Sequence, residues 1–478
     1  MQLANPELLR TDSFIAGQWQ SADSRFSVIN PATEQVIAQV AEADVDAAIS
    51  AAVAAQREFA NSTASERAAF LLRWHQLVLA NLTDLAQILT AEAGKPLQEA
   101  QAEIRYAASF IEWFAAEALR VTGDVLATSV KGQRLLNLKQ PVGVVAAITP
   151  WNFPAAMVTR KLAPAFAAGC AVVLKPSELT PLTALALAYL ADQAGIPKGV
   201  LNVITSSDAA TVGQALTRHP QIAKVTFTGS TAVGKLLMRQ CADTVKRLSL
   251  ELGGNAPAIV FADADLAVAV QAVMASKFRN AGQTCVCVNR ILVEESIAAE
   301  FSALLQKAIL HLVTGPGVTP SVQIGPLINA AAVAKVSQLV NDAVAAGASL
   351  SYQAELALEL GYFYPPTLLE NVTSAMRISQ QEIFGPVATI QLFSTAEEAL
   401  QLANDSQSGL AAYLFTKDTQ RIWHFSEQLQ VGMLGINGSA ISQAHIPFGG
   451  IKSSGFGREG SSYGIEEYLQ LKHLCWAN

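Results

Sequence analysis

The sequence predicts an α/β protein with two doubly wound domains and a small third element. Its 478 residues are too many for one domain of ordinary size. Only 15% of them are charged and 51% are hydrophobic, a composition that favours extensive buried surface over disorder. Beyond residue 141, short apolar segments alternate with helical segments, which is the pattern of parallel sheets covered by helices.

The elements follow from this pattern in chain order. Residues 45–120 are rich in Ala, Leu, Glu and Gln, with Gly94 and Pro96 as breakers, and predict three or four helices. Strands of a first sheet are predicted at 142–148, 170–174, 200–204 and 224–227. The helical segments between them are 155–168, 183–194, 209–218 and 231–242. After Asn255 the pattern restarts, with strands predicted at 258–261, 290–294, 387–393, 411–415 and 432–436.

Charge and cysteine content exclude several classes of protein. The net charge is −7 and no Lys/Arg cluster is present, which argues against a nucleic-acid partner. The longest uncharged window, 140–159, contains three prolines, and residues 1–10 contain no apolar segment. We therefore expect no membrane partner and a cytoplasmic location. Five cysteines without a C-x-x-C motif, and six scattered histidines, predict neither a disulfide framework nor a metal site.

Two glycine-rich segments are candidate phosphate-binding loops. Gly229, Gly234 and Lys235 match G-x-x-x-x-G-K between a predicted strand and a predicted helix, but Leu236 stands where a magnesium ligand is needed. A metal-free pyrophosphate, as in a dinucleotide, fits better than a nucleotide hydrolase, and an ordinary turn remains open. Residues 455–460 match G-x-G-x-x-G, but no βαβ unit can follow, so we interpret them as a loop of special backbone geometry.

Three residues are candidates for chemistry. Cys285 follows a polar, glycine-containing turn, where a thiol is more often reactive than in apolar surroundings. Glu251 ends an apolar strand before two glycines, and burial would raise its pKa and suit it to act as a base. Asn152 lies in a turn between aromatic residues, where its amide could donate to an oxyanion. The alternatives are an inert thiol, a structural capping carboxylate and a rigid turn.

Seven ordered segments tie these residues together and resemble the aldehyde dehydrogenase superfamily. They are P-W-N-F-P (150–154), K-P-S-E (175–178), F-T-G-S (227–230), E-L-G-G-N (251–255), G-Q-T-C (282–285), E-I-F-G-P (382–386) and P-F-G-G-x-K-x-S-G (447–455). The resemblance implies a dinucleotide-binding domain at 1–123 and 144–252, and a catalytic domain at 253–452. It further implies an oligomerisation element at 124–143 and 453–478 that forms homodimers or homotetramers.

The resemblance also implies roles for individual residues. Cys285 would be the nucleophile that attacks the aldehyde carbon. Asn152 and the backbone N–H of Cys285 would form the oxyanion hole. Glu251 would activate water to hydrolyse a thioester, and Lys161 and Glu459 match positions proposed for a proton relay.

The cofactor implied by the resemblance is NAD or NADP, without a metal. Glu178 could accept hydrogen bonds from ribose hydroxyls and repel a 2′-phosphate, which favours NAD, while Lys175 and Ser177 leave dual use open. The residues expected to bind the cofactor are Thr149, Pro150, Trp151, Asn152, Lys175, Ser177, Glu178, Gly229, Ser230, Leu252, Glu382 and Phe384.

Within the superfamily, the chain is most similar to the succinate-semialdehyde dehydrogenases. The resemblance implies that Arg160, Arg279 and Ser442 bind the carboxylate of a small semialdehyde, a task that suits arginine. The alternative is that both arginines form internal ion pairs. Glutaric semialdehyde is one methylene longer and stays open, since pockets discriminate poorly at that level. A non-catalytic relative is disfavoured because Cys285, Glu251 and Asn152 are all present.

Cys287 lies two residues after the expected nucleophile. In the subfamily such a pair can form a reversible disulfide that blocks activity. The ring closed by such near neighbours is tight, so the bond is expected to be strained and easily reduced. The hypothesis is that oxidation switches this protein off.

Overall fold

The computed structural model describes residues 1–477, which contain 22 strands and 15 α-helices. The strands, in chain order, are β1 (Ser13–Ile15), β2 (Gln18–Gln20), β3 (Arg25–Ile29), β4 (Val36–Ala41), β5 (Asp124–Leu126), β6 (Gln133–Pro141), β7 (Val144–Ile148), β8 (Val172–Lys175), β9 (Leu201–Val203), β10 (Ile222–Thr228), β11 (Arg247–Glu251), β12 (Ala256–Val260), β13 (Val288–Glu294), β14 (Ser349–Gln353), β15 (Thr367–Glu370), β16 (Val387–Phe393), β17 (Ser408–Gly409), β18 (Ala411–Phe415), β19 (Met433–Ile436), β20 (Ile451–Lys452), β21 (Gly455–Phe456) and β22 (Leu469–Ala477).

The helices fill the intervals between the strands. In chain order they are α1 (Val45–Ala60), α2 (Ala64–Ala80), α3 (Leu82–Ala93), α4 (Leu97–Ala118), α5 (Ala156–Ala168), α6 (Pro181–Gln193), α7 (Ala209–Arg218), α8 (Thr231–Cys241), α9 (Leu266–Lys277), α10 (Ala298–Leu310), α11 (Ala330–Ala345), α12 (Arg377–Gln380), α13 (Ala396–Asn404), α14 (Thr419–Gln428) and α15 (Ser461–Glu466). Residues 45–120 thus contain four helices, in agreement with the three or four predicted. No helix of residues 1–477 combines the length and the apolar character needed to cross a membrane.

The first sheet is doubly wound, as predicted. Its strand order is β2-β1-β9-β8-β7-β10-β11-β21, and β7 to β11 run parallel to one another. The chain passes outward from β7 through β8 to β9 and then returns to place β10 on the other side of β7. Ligands of such sheets bind beyond the carboxyl ends of the two strands where the winding reverses. The segments after β7 and β10 therefore mark the expected site.

The second sheet has the order β14-β15-β16-β13-β12-β18-β19. Its five predicted strands are all present, and the parallel strands β12, β13 and β18 are buried on both faces because helices cover them. Two large hydrophobic clusters correspond to the two sheets, one around α2 to α6 and one around β12, β13 and α11.

Several short strands lack a sequence signal. Strands β1 to β4 and β14 were not predicted, because they have three to six residues each and are largely exposed outside β1. A separate three-stranded sheet, β22-β6-β5, unites two distant segments. The C-terminal segment 453–478 does not belong wholly to this sheet, however, because β21 pairs with β11 of the first sheet. Residues Gly455, Gly457 and Gly460 have φ between +70° and +105°, which confirms the loop of special geometry.

Candidate active site

A cavity of about 320 Å³ lies at the reversal point of the first sheet and faces the second. The segments after β7, β10 and β11 meet there with the turn before β13 and the segment before β16. The cavity is lined by Pro150, Trp151, Asn152, Met157, Thr228, Gly229, Ser230, Glu251, Leu252, Gly253, Cys285, Ile328, Asn329, Ala332, Lys335, Glu382 and Phe384. It thus brings together Cys285, Glu251 and Asn152.

Cys285 is half-buried and follows a strained turn. Asn280 and Ala281 have φ of +51° and +54°, values that side chains other than glycine rarely adopt. Gly254 makes room for this segment, because a Cβ there would lie 2.2 Å from the carbonyl oxygen of Cys285. Burial, and then the charge of Glu382, raise the pKa of the Cys285 thiol to about 12, while Arg160 opposes this. The thiol therefore needs a base in order to become a nucleophile.

The Asn152 side chain points at the turn that precedes Cys285. Its Nδ2 donates a 3.0 Å hydrogen bond to the carbonyl oxygen of Gln283, two residues before Cys285. Its own backbone oxygen accepts bonds of 3.0 Å from both Lys95 Nζ and Asn280 Nδ2. An amide nitrogen has two hydrogens, so Asn152 can still donate to an oxygen bound in the cavity.

Glu251 ends β11 and is 3% exposed. Neither carboxylate oxygen has a hydrogen-bond partner within residues 1–477. Burial, and secondarily the charge of Glu459, raise the pKa of Glu251 well above its ordinary value, against the opposing charges of Arg160 and Lys161. A buried, unpartnered carboxylate with a raised pKa can accept a proton from a thiol or from water.

A buried group of three charges lies next to Glu251. Arg160 Nε is 2.6 Å from Glu459 Oε2, and Lys161 Nζ forms an ion pair with Glu459 Oε1 and donates to Thr226 Oγ1 at 3.2 Å. Burial disfavours ionisation of Glu459, but Lys161 and Arg160 outweigh it and lower the pKa of that carboxyl. Two neighbouring carboxyls are therefore shifted in opposite directions, an arrangement typical of acid–base sites.

The three expected substrate residues are not all brought together. Arg160 is 1% exposed, its guanidinium lies 4.1 Å from the ring centroid of Phe448, and its Nη2 has no partner in the described chain. Ser442 is half-buried and shares a hydrogen bond with Tyr106 Oη. Arg279 is exposed, lies 4.8 Å above the Phe153 ring, and lines a different cavity beside α9.

Most of the expected cofactor residues line the cavity. Ser230 caps α8 by accepting a hydrogen bond from Val233 N, and the first turn of this 11-residue helix has no acidic residue, so its free N–H groups suit a phosphate. A Cβ on Gly229 would lie 2.4 Å from the Phe227 ring. Phe384, with φ of +58°, packs edge-on against Trp151 at 5.5 Å. These features fit a dinucleotide.

Two further expected cofactor residues shape the floor of this region. Leu252 packs under α8, where a Cβ on Gly234 would meet its side chain at 2.4 Å. Glu382 accepts a bond from Gly254 N at 3.2 Å, and burial raises the pKa of its carboxyl to about 7. The segment before β16 is thereby fixed to the loop after β11.

Lys175, Ser177 and Glu178 lie outside the cavity, at the end of β8. Thr149 N donates to the Lys175 carbonyl at 3.1 Å, which fixes this end next to that of β7. Lys175 Nζ is 2.7 Å from Glu178 Oε2, and Ser177 Oγ accepts from Leu179 N. A ligand reaching from the cavity across the ends of β7 and β8 would contact this group.

Cys287 is 3% exposed and points away from solvent. Its sulfur lies 3.8 Å from Lys277 Nζ and 3.4 Å from the Gly282 carbonyl oxygen. Burial raises the pKa of the Cys287 thiol, and the Lys277 ammonium opposes that rise. Both cysteines are free thiols in this structure.

Comparison with known proteins decides the family. The model of the aldehyde dehydrogenase family matches residues 19–474. The chain belongs to the aldehyde dehydrogenase family. It is 51% identical to a mitochondrial succinate-semialdehyde dehydrogenase of Arabidopsis thaliana, over 99% of this chain and 90% of the relative.

Two other relatives are similar over their full length. A 3-sulfolactaldehyde dehydrogenase of Pseudomonas putida is 50% identical and covers 99% of each chain. A crystal structure of succinate-semialdehyde dehydrogenase from Burkholderia pseudomallei has a TM-score of 0.98, 51% identity and complete coverage of both chains. These findings displace the nucleotide-hydrolase alternative for the Gly229–Lys235 loop.

Several residues of this aldehyde dehydrogenase site had no assigned role in the sequence. Tyr106 bonds to Ser442, Asn280 bonds to the backbone of Asn152 and Gln283, and Lys95 and Glu103 contact the Asn152 turn. Lys95, Glu103 and Tyr106 lie in a helix-forming stretch far from the motifs, whereas Asn280 lies two residues before the G-Q-T-C motif. The spacing of Glu99 and Glu103, four residues apart on α4, was an available signal, because it places both carboxylates on one helix face.

Proposed function

We propose that this aldehyde dehydrogenase oxidises succinic semialdehyde to succinate with NAD or NADP. The observation that carries the proposal is Arg160, a buried guanidinium with an unpartnered Nη2 in the described chain, close enough to Cys285 and Glu251 for their charges to interact. A buried guanidinium with an unused donor favours a carboxylate as its ligand. Both relatives named for succinic semialdehyde support the same substrate.

Different residues of the chain are proposed to carry out the successive steps of the reaction. Glu251 accepts the Cys285 proton, and the thiolate forms a C–S bond to the aldehyde carbon. The carbonyl oxygen gains negative charge, which Asn152 Nδ2 and the Cys285 N–H stabilise. When bound, the nicotinamide cofactor supplies the acceptor for the hydride that leaves this carbon.

The second half of the reaction releases the acid. Glu251 removes a proton from water, the hydroxide adds to the thioester carbon, and the C–S bond breaks to give the carboxylic acid and free Cys285. Glu459 and Lys161 lie beside Glu251 and are proposed to relay its proton to solvent, because the lowered pKa of Glu459 keeps that carboxyl from retaining the proton. Arg160 and Ser442 are proposed to hold the distal carboxylate, with Arg279 as a third candidate at greater distance.

Cofactor choice is proposed to depend on the Lys175–Glu178 pair. Glu178 carries the negative charge that disfavours a 2′-phosphate, while Lys175 offers a positive one within 2.7 Å of it. We expect NAD to be preferred. Replacing Glu178 by Ala should raise kcat/KM with NADP⁺ relative to NAD⁺ by about tenfold, which steady-state assays with each cofactor would measure.

The test of the proposed function is a comparison of aldehydes. Reduced enzyme is mixed with either cofactor and with succinic semialdehyde, glutaric semialdehyde, 3-sulfolactaldehyde or acetaldehyde, and the absorbance of the reduced nicotinamide is followed. The expected result is that anionic aldehydes exceed acetaldehyde in kcat/KM, with succinic semialdehyde highest. A higher kcat/KM for acetaldehyde than for the anionic aldehydes would leave the family assignment intact and contradict the proposed substrate.

Two properties beyond the reaction are proposed here. Oxidation by a peroxide is expected to join Cys285 and Cys287 reversibly, so that a thiol reductant restores activity and Cys287→Ser prevents the reversible loss. Residues 124–143 and the end of the tail are proposed as an assembly surface, since Val125, Leu471 and Trp476 are 79%, 65% and 63% exposed. Light scattering after size exclusion would distinguish dimers from tetramers.

A further inference from the structure

The start of α4 carries a buried set of charges that the reaction does not use. Lys95 and Glu103 are each 1% exposed and form an ion pair. Lys95 Nζ also lies 3.7 Å from the centroid of the Phe153 ring. Burying two charges is costly, and replacing such a pair by apolar residues is often neutral or stabilising. Stability alone therefore gives a weak reason for this pair.

The contacts of the pair all fall on one turn. Lys95 Nζ donates to the backbone oxygen of Asn152 at 3.0 Å. Glu103 Oε1 accepts from Ala155 N at 2.9 Å and from Ala156 N at 3.3 Å. The pair thus holds both ends of the turn at residues 152–155 that connects Asn152 to α5, and limits the directions that the Asn152 side chain can take.

The same helix also holds the turn before the nucleophile. Glu99, one turn before Glu103, accepts from Asn280 N at 2.8 Å. Asn280 is the residue with φ of +51°, and its Nδ2 donates to the backbone oxygens of Asn152 and Gln283 at 3.0 and 3.3 Å. A left-handed backbone that a half-buried carboxylate holds in place is a conformation maintained by its surroundings.

We propose that Lys95 and Glu103, with Glu99, are positioning residues that fix the two oxyanion donors relative to one another. One donor is the Asn152 amide and the other is the backbone N–H of Cys285, and each belongs to one of the two turns held by α4. Preorganised donors stabilise developing negative charge because they need no reorientation during the reaction. A small displacement of either turn would weaken that stabilisation.

This inference rests on the proposed function only in that Cys285 and Asn152 act on a carbonyl group. The test therefore uses p-nitrophenyl acetate, whose acyl transfer to Cys285 would need the same oxyanion donors but neither a nicotinamide cofactor nor a particular aldehyde. If the enzyme hydrolyses this ester but does not oxidise succinic semialdehyde, only the proposed substrate fails.

The experiment is a double-mutant cycle on the full-length protein. Lys95→Met and Lys95→Met/Glu103→Gln are each made alone and together with Asn152→Ala, and turnover is expressed per mole of folded protein recovered from size exclusion. The variant Lys95→Met/Glu103→Gln removes both charges and keeps the acceptor for Ala155 N and Ala156 N, so it avoids an unpaired buried charge. Asp84→Asn is the matched control, because Asp84 is a buried carboxylate on α3 that accepts from Ala4 N and Asn5 N, far from the site.

The expected result is non-additivity. Lys95→Met, and the charge-neutral double variant, should lower turnover by at least about tenfold when Asn152 is present, and by less than about twofold when Asn152 is already Ala. Asp84→Asn should stay within about twofold of wild type. An equal factor in both backgrounds, or no loss of turnover in the charge-neutral variant, would overturn the proposal.

Discussion

The groups proposed to react and the groups proposed to bind the acid end of the substrate are held in place in different ways. Cys285, Asn152 and Glu251 stand at strand ends or in tight turns, and hydrogen bonds or close glycine contacts determine the path of the backbone around them. Arg160 and Arg279 act through long side chains, and their positions depend on distant neighbours. Residues whose positions are set by the local backbone can therefore be inferred from short motifs. Residues that select the substrate through long side chains depend on packing across the whole fold.

The largest expected effect comes from the nucleophile. Cys285→Ala should reduce kcat by more than about 10⁴-fold, because loss of a covalent nucleophile removes the reaction path itself. Cys287→Ser is the matched control two residues away, and should keep most of the activity of the reduced enzyme. Reduced-nicotinamide absorbance with each variant measures both values, and comparable loss in Cys287→Ser would contradict the assignment of Cys285 as the sole nucleophile.

The base should have the next largest effect. Glu251→Gln is isosteric and cannot accept a proton, so we expect kcat to fall by about 10²- to 10³-fold. Rapid mixing should show where the loss lies: if hydrolysis of the thioester is slowed most, a burst of reduced cofactor near one equivalent will precede slow turnover. Wild-type steady-state turnover in Glu251→Gln would mean that another group acts as the base.

The same substitution should change stability with pH. Because the pKa of Glu251 is raised in the folded state, the unfolded chain holds fewer protons than the folded one as pH rises above about 4.5. The contribution of this group to stability is thus complete below that pH and is lost as pH rises through the folded pKa. The Tm of Glu251→Gln relative to wild type should therefore increase with pH. A Tm difference independent of pH would show that Glu251 has an unshifted pKa.

Much of the fold was predictable from the sequence, and so was the set of candidate residues, Cys285, Glu251 and Asn152, that line one cavity. Apolar segments that alternate with helical ones located β7 to β10 of the first sheet and five of the seven strands of the second. The motif at 227–230 lies at the reversal of winding beside β7. What could not be predicted was which distant residues meet. No local pattern indicates that Lys95 contacts Asn152, or that Tyr106 bonds to Ser442, since each contact joins segments more than fifty residues apart.

Replacing Arg160 should have a smaller effect on kcat/KM, and the size of that effect should depend on the substrate. Arg160→Met should lower kcat/KM for succinic semialdehyde by about 10- to 100-fold, as expected for loss of a charge-assisted hydrogen bond. Acetaldehyde has no carboxylate, so any loss with it reports only the disturbance of Glu459. Steady-state kinetics with the two aldehydes separate these contributions, and an equal loss for both would restrict Arg160 to its ion pair.

The smallest effect on kcat/KM should come from replacing Arg279, and its size distinguishes most clearly between the roles of the two arginines. Its guanidinium is exposed over the Phe153 ring and lines the cavity beside α9, and we therefore expect Arg279→Met to lower kcat/KM for succinic semialdehyde by only about threefold. A residual effect of that size is what a screened, solvent-exposed charge contributes at a distance. The expected salt dependence follows, because added salt should remove the difference from wild type. A loss as large as that of Arg160→Met, unchanged by salt, would mean that Arg279 turns into the acyl site when substrate binds, and that both arginines hold the carboxylate together.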